Sequence, residues 1–223
     1  MGAVISPLLS NIYLHVLDRV WEDRCAHLGT LVRYADDFVV MCDSKAAVEE
    51  ARRRVSTVLA RLALELHPEK TRLVDLSRGR EGFDFLGCHV HKRMSGPLWE
   101  RTRRRVYFLQ RWPSHRAMQR VRTRVRELTP RRRCHEDVRR VIADVNPVLR
   151  GWGQYFRTGN AARQFHYVDQ YVEERLRGLL LKRAGSRLRP NRATAWTRPF
   201  FEALGLVRLR GTIRYPGVAH ATT

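Results

Sequence analysis

The sequence predicts an α+β region with an antiparallel sheet, followed by a region built from helices alone. Three observations carry that expectation. Across residues 1–92 helical and strand-like periodicities alternate with short turns, the pattern of helices set beside an antiparallel sheet. After Pro97 only the 3.6-residue apolar repeat recurs. Charge changes at the same place: residues 1–90 carry 12 basic and 13 acidic side chains, and the remainder carries 31 and 9. With 223 residues the chain can bury one or two apolar cores without disulfide staples.

Taken in order, Leu9, Ile12, Val16, Leu17, Val20 and Trp21 fall at helical spacing between Pro7 and Gly29, which predicts an amphipathic helix. TLVRY and FVVMC read as short strands separated by Ala-Asp-Asp, a tight hairpin. Ser44 can cap a second helix with Ala47, Val48, Ala51, Val55, Val58, Leu59, Leu62 and Leu66 inward, stopped by Pro68. KTRLVDL (70–76) and GFDFLGCHVHK (82–92) read as strands, the second folding back at Gly87.

Three helices follow. Ser114 opens one with Ala117, Met118, Val121, Val125 and Leu128 inward. Residues 135–149 repeat the pattern with Val138, Val141, Ile142 and Val145, and residues 161–183 with Phe165, Val168, Val172, Leu176 and Leu179. Three helices of this length make a small bundle. Residues 185–223 form a tail rich in Arg, Pro, Gly and Thr whose apolar patch, AWTRPFFEALGLVRL, can pack back on the bundle as a short helix.

The net charge of +21 calls for a polyanionic partner, either nucleic acid or an anionic surface, and the excess lies wholly beyond residue 90. Only Lys45, Lys70, Lys92 and Lys182 are lysines; the other 39 cations are arginines, whose planar fork suits phosphates and stacks on bases. A genome rich in Arg codons would give the same bias. Cys25, Cys42, Cys88 and Cys134 show no CxxC spacing and no paired His, and the histidines form no ligand spacing, so neither a disulfide framework nor a zinc site is expected. No window approaches the ~20 apolar residues that span a bilayer. MGAVISPLLSN lacks a basic n-region and a cleavage signature. No membrane association is expected, and the location expected is the bacterial cytoplasm.

Within this frame the adjacent Asp36 and Asp37 admit two readings. Aspartate tolerates turn dihedrals and caps its own backbone, so the pair can be plain turn chemistry. Two carboxylates at the lip of a sheet also make a hard oxygen site for Mg²⁺, which relieves their repulsion. Metal ions so placed activate an attacking oxygen and stabilise a leaving oxygen in phosphoryl transfer.

RYADDFVV resembles the catalytic hairpin of reverse transcriptases, and GAVISPLLSNIYLHVLD is similar to the segment just ahead of it. HPEKTRL and FDFLG resemble the two blocks that follow the hairpin in that family, and NPVLRGWGQYFRTG (146–159) resembles the maturase domain of group II intron-encoded reverse transcriptases. The resemblances keep the family's order from residue 2 to about 183. They imply an α+β partial palm with an antiparallel sheet (1–92), an all-α three-helix thumb or maturase domain (93–184) and a basic C-terminal tail (185–223). The implied activity is RNA-directed DNA synthesis with Mg²⁺ and binding of intron RNA to promote splicing. The implied partners are group II intron RNA as template, a DNA primer and deoxynucleoside triphosphates.

By the same resemblance Asp36 matches the metal-binding carboxylate and Asp37 its weaker neighbour. Tyr34 and Ala35 match positions near the nucleotide sugar and primer end, and Ser6 and Pro7 belong to the segment that approaches nucleotide and template. Lys70 matches a basic residue able to protonate the pyrophosphate leaving group; as a strand residue it can equally be just solvated. Phe85, Leu86 and Gly87 match the primer grip. The runs at Arg103, Arg104, Arg105 and at Arg131, Arg132, Arg133, with Arg150 and Arg157 of the maturase motif, are the expected RNA contacts; Trp152 and Phe156 are expected in the core.

Polymerases of this family use a third carboxylate, from a strand ahead of the SPLL segment, and no residue here matches it. The expectation is an N-terminally truncated chain: a gene fragment, a split protein whose missing half is a separate polypeptide, or a misplaced start codon would each give this sequence. The alternative is an RNA-binding splicing factor, or an inactive fragment, without polymerase activity.

Overall fold

Helix α1 (Ser6–Arg24) carries a proline in its first turn, where the absent N–H is no loss. The chain then passes through a short 3₁₀ turn (Ala26–Leu28) into strands β1 (Thr30–Tyr34) and β2 (Asp37–Met41), and on to helix α2 (Lys45–Arg61). Ser44 caps α2 by accepting the Ala47 N–H at 3.2 Å. The computed structural model describes residues 5–77, 79–185 and 193–215, so 186–192 and 216–223 of the expected tail lie outside the described residues, as do the side chains of Ser6 and Pro7.

Two compact units divide between Asp75 and Leu76. The core of the first is Leu14, Leu17, Trp21 and Cys25 of α1 and its end against Ala51, Val55 and Leu59 of α2, with Leu31, Phe38 and Val40 packed on them from the hairpin. Each large side chain fully removed from water contributes about 1.5–3 kcal/mol. Gly29, at φ +147°, lies against β2: a Cβ there would stand 2.0 Å from the Met41 carbonyl oxygen, so only glycine fits. The buried stripe of α1 differs from the sequence expectation. Helix α1 is apolar on two faces; Leu17 and Trp21 go inward with Leu14, while Leu9, Ile12 and Val16 are exposed.

In the second unit β3 (Gly82–Phe85) and β4 (Cys88–Met94) form a hairpin, with Leu86 and Gly87 both at positive φ (48° and 74°) in the two-residue turn. After the short helix α3 (Gly96–Thr102), strand β5 (Tyr107–Pro113) pairs with β4 from Cys88↔Pro113 to Met94↔Tyr107. The sheet order is β3-β4-β5, antiparallel throughout. Helices α4 (His115–Leu128), α5 (Val138–Phe156) and α6 (Ala162–Ala184) make the bundle. Ser114 caps α4 and Asp137 caps α5. Helix α7 (Arg198–Ala203) and residues 204–213 lie on the bundle, burying Phe201, Leu206 and Leu209 in its core beside Phe165, Val168 and Leu176.

Two sequence expectations are corrected. Residues 71–76 form no strand: Thr71, Val74 and Leu76 are half-buried at a spacing no strand keeps, and Leu73 is exposed. The region after Pro97 is not helices only, since YFLQRWP is a strand; its Gln and Arg and its terminal Pro, tolerated at a strand end, conceal it. The boundary between the compact units falls inside the 1–92 stretch, because the β4–β5 ladder joins the 82–94 hairpin to the helical unit. Mixed α and β structure with small antiparallel sheets is as expected.

Two polar groups hold the C-terminal segment on the bundle. The side chain of Asn146 donates to the Gly205 carbonyl at 2.8 Å and accepts the Val207 N–H at 2.9 Å. The carboxylate of Asp169, 2 % exposed, accepts the N–H groups of Leu209 and Arg210 and pairs with Arg198 at 2.9 Å. Thr129, fully buried at the end of α4, is bound through its hydroxyl and carbonyl by Arg175 of α6.

Candidate active site and nucleic-acid interface

The β1–β2 register pairs Tyr34 with Asp37, leaving Ala35 and Asp36 as a two-residue turn. Asp37 is therefore the first residue of β2 and not part of the turn, as the sequence had suggested; a two-residue loop is the favoured closure of a hairpin. Ala35 has φ +54°, a left-handed value that a non-glycine residue keeps only when its surroundings hold it. Alternation along β2 turns Phe38 and Val40 to the core and sets Asp37 with Val39 and Met41 on the other face, which β1 completes with Val32 and Tyr34. Tyr34 is 66 % exposed.

What holds the turn is Arg33. Its guanidinium donates from Nη1 to the Ala35 carbonyl at 2.7 Å and to Asn11 Oδ1 at 3.0 Å, from Nε to Asp18 Oδ1 at 2.8 Å, and from Nη2 to Asp18 Oδ2. Hydrogen bonding to the Asp18 carboxylate pushes the Arg33 pKa above its ordinary value, against the opposing effect of burial. Sequence reasoning passed over Arg33; its inward register in β1, where an uncompensated cation would be costly, was the available signal. Arg33→Ala is expected to speed amide exchange of the hairpin about 10- to 100-fold, because hydrogen bonds to charged groups contribute about 1.5–3 kcal/mol. Exchange rates unchanged from the parent chain would refute the clamp.

Asp36 and Asp37 are exposed, and among the described residues neither carboxylate has a hydrogen-bond or ion-pair partner. No group of three or more His, Cys, Asp or Glu that could hold a metal occurs among the described residues. Two free carboxylates nevertheless suit Mg²⁺, which takes one or two carboxylates and leaves its other positions to phosphate oxygens and water. Lys70 is exposed in a turn, its N–H donating to the His67 carbonyl at 3.2 Å. Phe85 ends β3, and Leu86 and Gly87 make the turn that follows; the Leu86 carbonyl accepts the Tyr155 hydroxyl of α5 at 2.8 Å.

The expected RNA contacts divide by what holds them. Arg103, Arg104 and Arg105 are exposed after α3, with the Arg105 guanidinium 5.9 Å from the Trp99 ring. Arg131, Arg132 and Arg150 are exposed, and Arg157 is half-buried at the end of α5. Arg133 is spent inside the protein: it donates to the Leu128 carbonyl at 2.7 Å and pairs with Glu136 and Asp144. That pairing holds the Glu136 carboxyl below the usual carboxylate range. Phe156 lies in the core as expected and Trp152, partly buried, packs against it, their rings 4.9 Å apart. The cysteines are free, and burial pushes the Cys88 and Cys42 thiols up, away from reactive thiolate.

Helix α4 adds cations the motif comparison missed. Arg116, Arg120 and Arg124 recur every four residues opposite its buried stripe and line, with Gln119, Thr123 and Glu127, a shallow groove of about 420 Å³. Arg124 is paired with Glu127, while Arg116 and Arg120 have no acidic partner among the described residues. Their spacing was legible as one helix face.

Residues 1–90 match the family model for reverse transcriptase (RNA-dependent DNA polymerase), and residues 118–196 match that for the group II intron maturase-specific domain. The chain belongs to the group II intron-encoded reverse transcriptases and maturases. No curated protein matches it. For a group II intron reverse transcriptase and maturase the function is RNA-directed DNA synthesis together with maturation of the intron, and its partners are nucleic acids. Reverse transcriptases of this family depend on a divalent metal. Among the described residues, no helix of this maturase is long and apolar enough to cross a membrane.

Proposed function

We propose that residues 1–92 serve as the palm of the polymerase, residues 93–184 as its thumb or maturase domain, and residues 185–223 as a basic tail, with Asp36 as the principal metal ligand. The carrying observation is the clamped hairpin whose two carboxylates have no partner among the described residues. Asp36 at the turn and Asp37 on the strand would hold Mg²⁺. The cation would offset the negative charge that builds up as a primer 3′-hydroxyl attacks the α-phosphate of a deoxynucleoside triphosphate.

The remaining roles belong to side chains of the chain itself. Tyr34 and Ala35 bound the nucleotide sugar and primer end, an assignment that the exposure of Tyr34 supports. Ser6 and Pro7 belong to the segment approached by nucleotide and template. Lys70, exposed in its turn, gives a proton to the departing pyrophosphate. Phe85, Leu86 and Gly87 support the primer backbone at a tight turn in which Leu86 and Gly87 both take positive φ. Arg103, Arg104, Arg105, Arg131, Arg132, Arg150 and Arg157 contact phosphates of group II intron RNA. Arg133, committed to Glu136 and Asp144, orders the turn that presents its neighbours.

Primer extension tests this reading with an RNA template, a DNA primer, deoxynucleoside triphosphates and Mg²⁺, using the chain alone and together with the polypeptide encoded directly upstream. Metal-dependent DNA synthesis is expected in at least one arrangement; none in either would sink it. A second reading, RNA binding in splicing without synthesis, is favoured by the charge of residues 91–223. RNA affinity should then fall steeply with salt, and neutralising Arg103, Arg104 and Arg105 together should flatten the log–log slope by about 2. An unchanged slope would remove those arginines from the interface.

A further inference from the structure

The last described residues form a second basic surface, outside both family matches. LVRLRGTIRY alternates: Leu206, Leu209 and Ile213 turn to the bundle core, and Arg208, Arg210 and Tyr215 face out with Gly211. These outward groups, with Ile213 and Ala162 of α6, line an open cleft of about 680 Å³. Its volume lies within the ~300–1,000 Å³ that small-molecule and cofactor sites occupy.

The cleft is held in shape from beneath. Buried Asp169 fixes the N–H groups of Leu209 and Arg210, and the Thr212 hydroxyl closes on the Leu209 carbonyl at 2.6 Å. The Arg214 N–H donates to the Arg157 carbonyl at 2.9 Å, and Gly211 makes the bend at φ +89°. Among the described residues no acidic side chain lines it. The Asp169 carboxylate is already satisfied by Arg198 and two amides. Glu202, bound by Arg198 at 2.8 Å, stands 3.9 Å from Arg208. Arg210 and Tyr215 have no side-chain partner among the described residues, and Tyr215 is 65 % exposed.

We propose that this cleft binds a single-stranded segment of nucleic acid, its phosphates on Arg208 and Arg210 and an unpaired base stacked on Tyr215. The combination decides the ligand class. The Arg210 guanidinium, with no acidic partner among the described residues, and that of Arg208, paired only at 3.9 Å with a Glu202 already bound by Arg198, select a chain of phosphates over a neutral ligand, and an exposed aromatic ring beside them rewards an unstacked base that a duplex would not offer. The proposal rests on nucleic acid being the partner of the chain, and it assigns a role to residues 206–215.

The test uses the full chain and short fluorescent oligouridine, as RNA and as its deoxy counterpart, titrated by anisotropy over a range of salt. Arg208→Gln with Arg210→Gln should weaken binding and flatten the log–log salt slope by about 1.4, two phosphates at about 0.7 each. Tyr215→Ala should weaken binding about 5- to 100-fold with the slope unchanged, and Tyr215→Trp should restore it. Equal losses on both strands support recognition of phosphate and base alone; a larger loss on RNA supports it with added readout of the 2′-hydroxyl. Iodouridine placed in the strand should photocrosslink to Tyr215. Thermal melting of each variant establishes that the exposed substitutions leave the fold intact. If the parent chain binds RNA and the variants match it in affinity and slope, the cleft is overturned while the RNA reading of the other arginines stands. If the parent chain binds neither strand at low salt, both fall.

Discussion

Asp169→Ala is expected to lower the unfolding free energy of the second unit by about 3–5 kcal/mol, the cost of removing one partner from a buried ion pair. The carboxylate is 2 % exposed and satisfies three donors: the Arg198 guanidinium and the N–H groups of Leu209 and Arg210. Truncation leaves two amides without acceptors and a guanidinium, 18 % exposed, with Glu202 as its remaining partner. Asp169→Asn keeps an acceptor oxygen and loses the charge, so a smaller loss of about 1–3 kcal/mol is expected. Urea titration of the full chain followed by Trp fluorescence reads the effect as a lower midpoint at unchanged slope. A loss under about 1 kcal/mol for the alanine variant would mean that Phe201, Leu206 and Leu209 hold the segment by apolar packing alone.

Why the sequence disclosed the helices of the second unit and not this attachment follows from the range of the interactions. The stripe Ala117, Met118, Val121 and Val125, and its counterparts on α5 and α6, are set by local periodicity, so both element and inward face could be read residue by residue. Caps at Ser44 and Ser114 are equally local. Asp169 reaches Leu209 across 40 positions and Asn146 reaches Val207 across 61, and no local pattern announces either. Strand β5 was hidden for a related reason: YFLQRWP has two half-exposed faces, which blurs the alternation that marks a strand. In α1 the pattern itself was ambiguous, since both faces are apolar and only contact with α2 selects Leu14, Leu17 and Trp21.

The candidate site was legible in the opposite sense, through motif identity rather than pattern. RYADDFVV located the hairpin, and the register then separated its two aspartates, one on the turn and one on the strand. The dependence of that turn on Arg33, Asp18 and Asn11 was not legible, because the three come from different elements. Arg133 shows the limit of reading charge runs: of three adjacent arginines, one is used to fold the turn and two stay exposed.

Asp36→Asn is expected to reduce primer extension about 10²- to 10⁴-fold. The stabilisation a bound metal gives to a phosphoryl transition state is several kcal/mol, and each 1.36 kcal/mol corresponds to about a tenfold change in rate. An amide keeps the size and hydrogen-bonding shape of the carboxylate but removes the charge and one strong oxygen ligand. Asp37→Asn should cost less, because Asp37 shares a strand face with Val39 and Met41 while Asp36 stands at the turn beside the clamped Ala35 carbonyl. Raising Mg²⁺ should recover part of the loss in the Asp37 variant, whose site keeps its principal carboxylate, and little in the Asp36 variant. RNA binding should be unchanged in both, since the net positive charge lies in residues 91–223, away in sequence from the hairpin. Synthesis by Asp36→Asn within about threefold of the parent would remove this carboxylate from the chemistry, because a lost metal ligand cannot leave so small a deficit. Equal losses in the two variants would instead mean that the pair binds the metal jointly, which would require the Asp37 side chain to rotate from the strand face toward the turn.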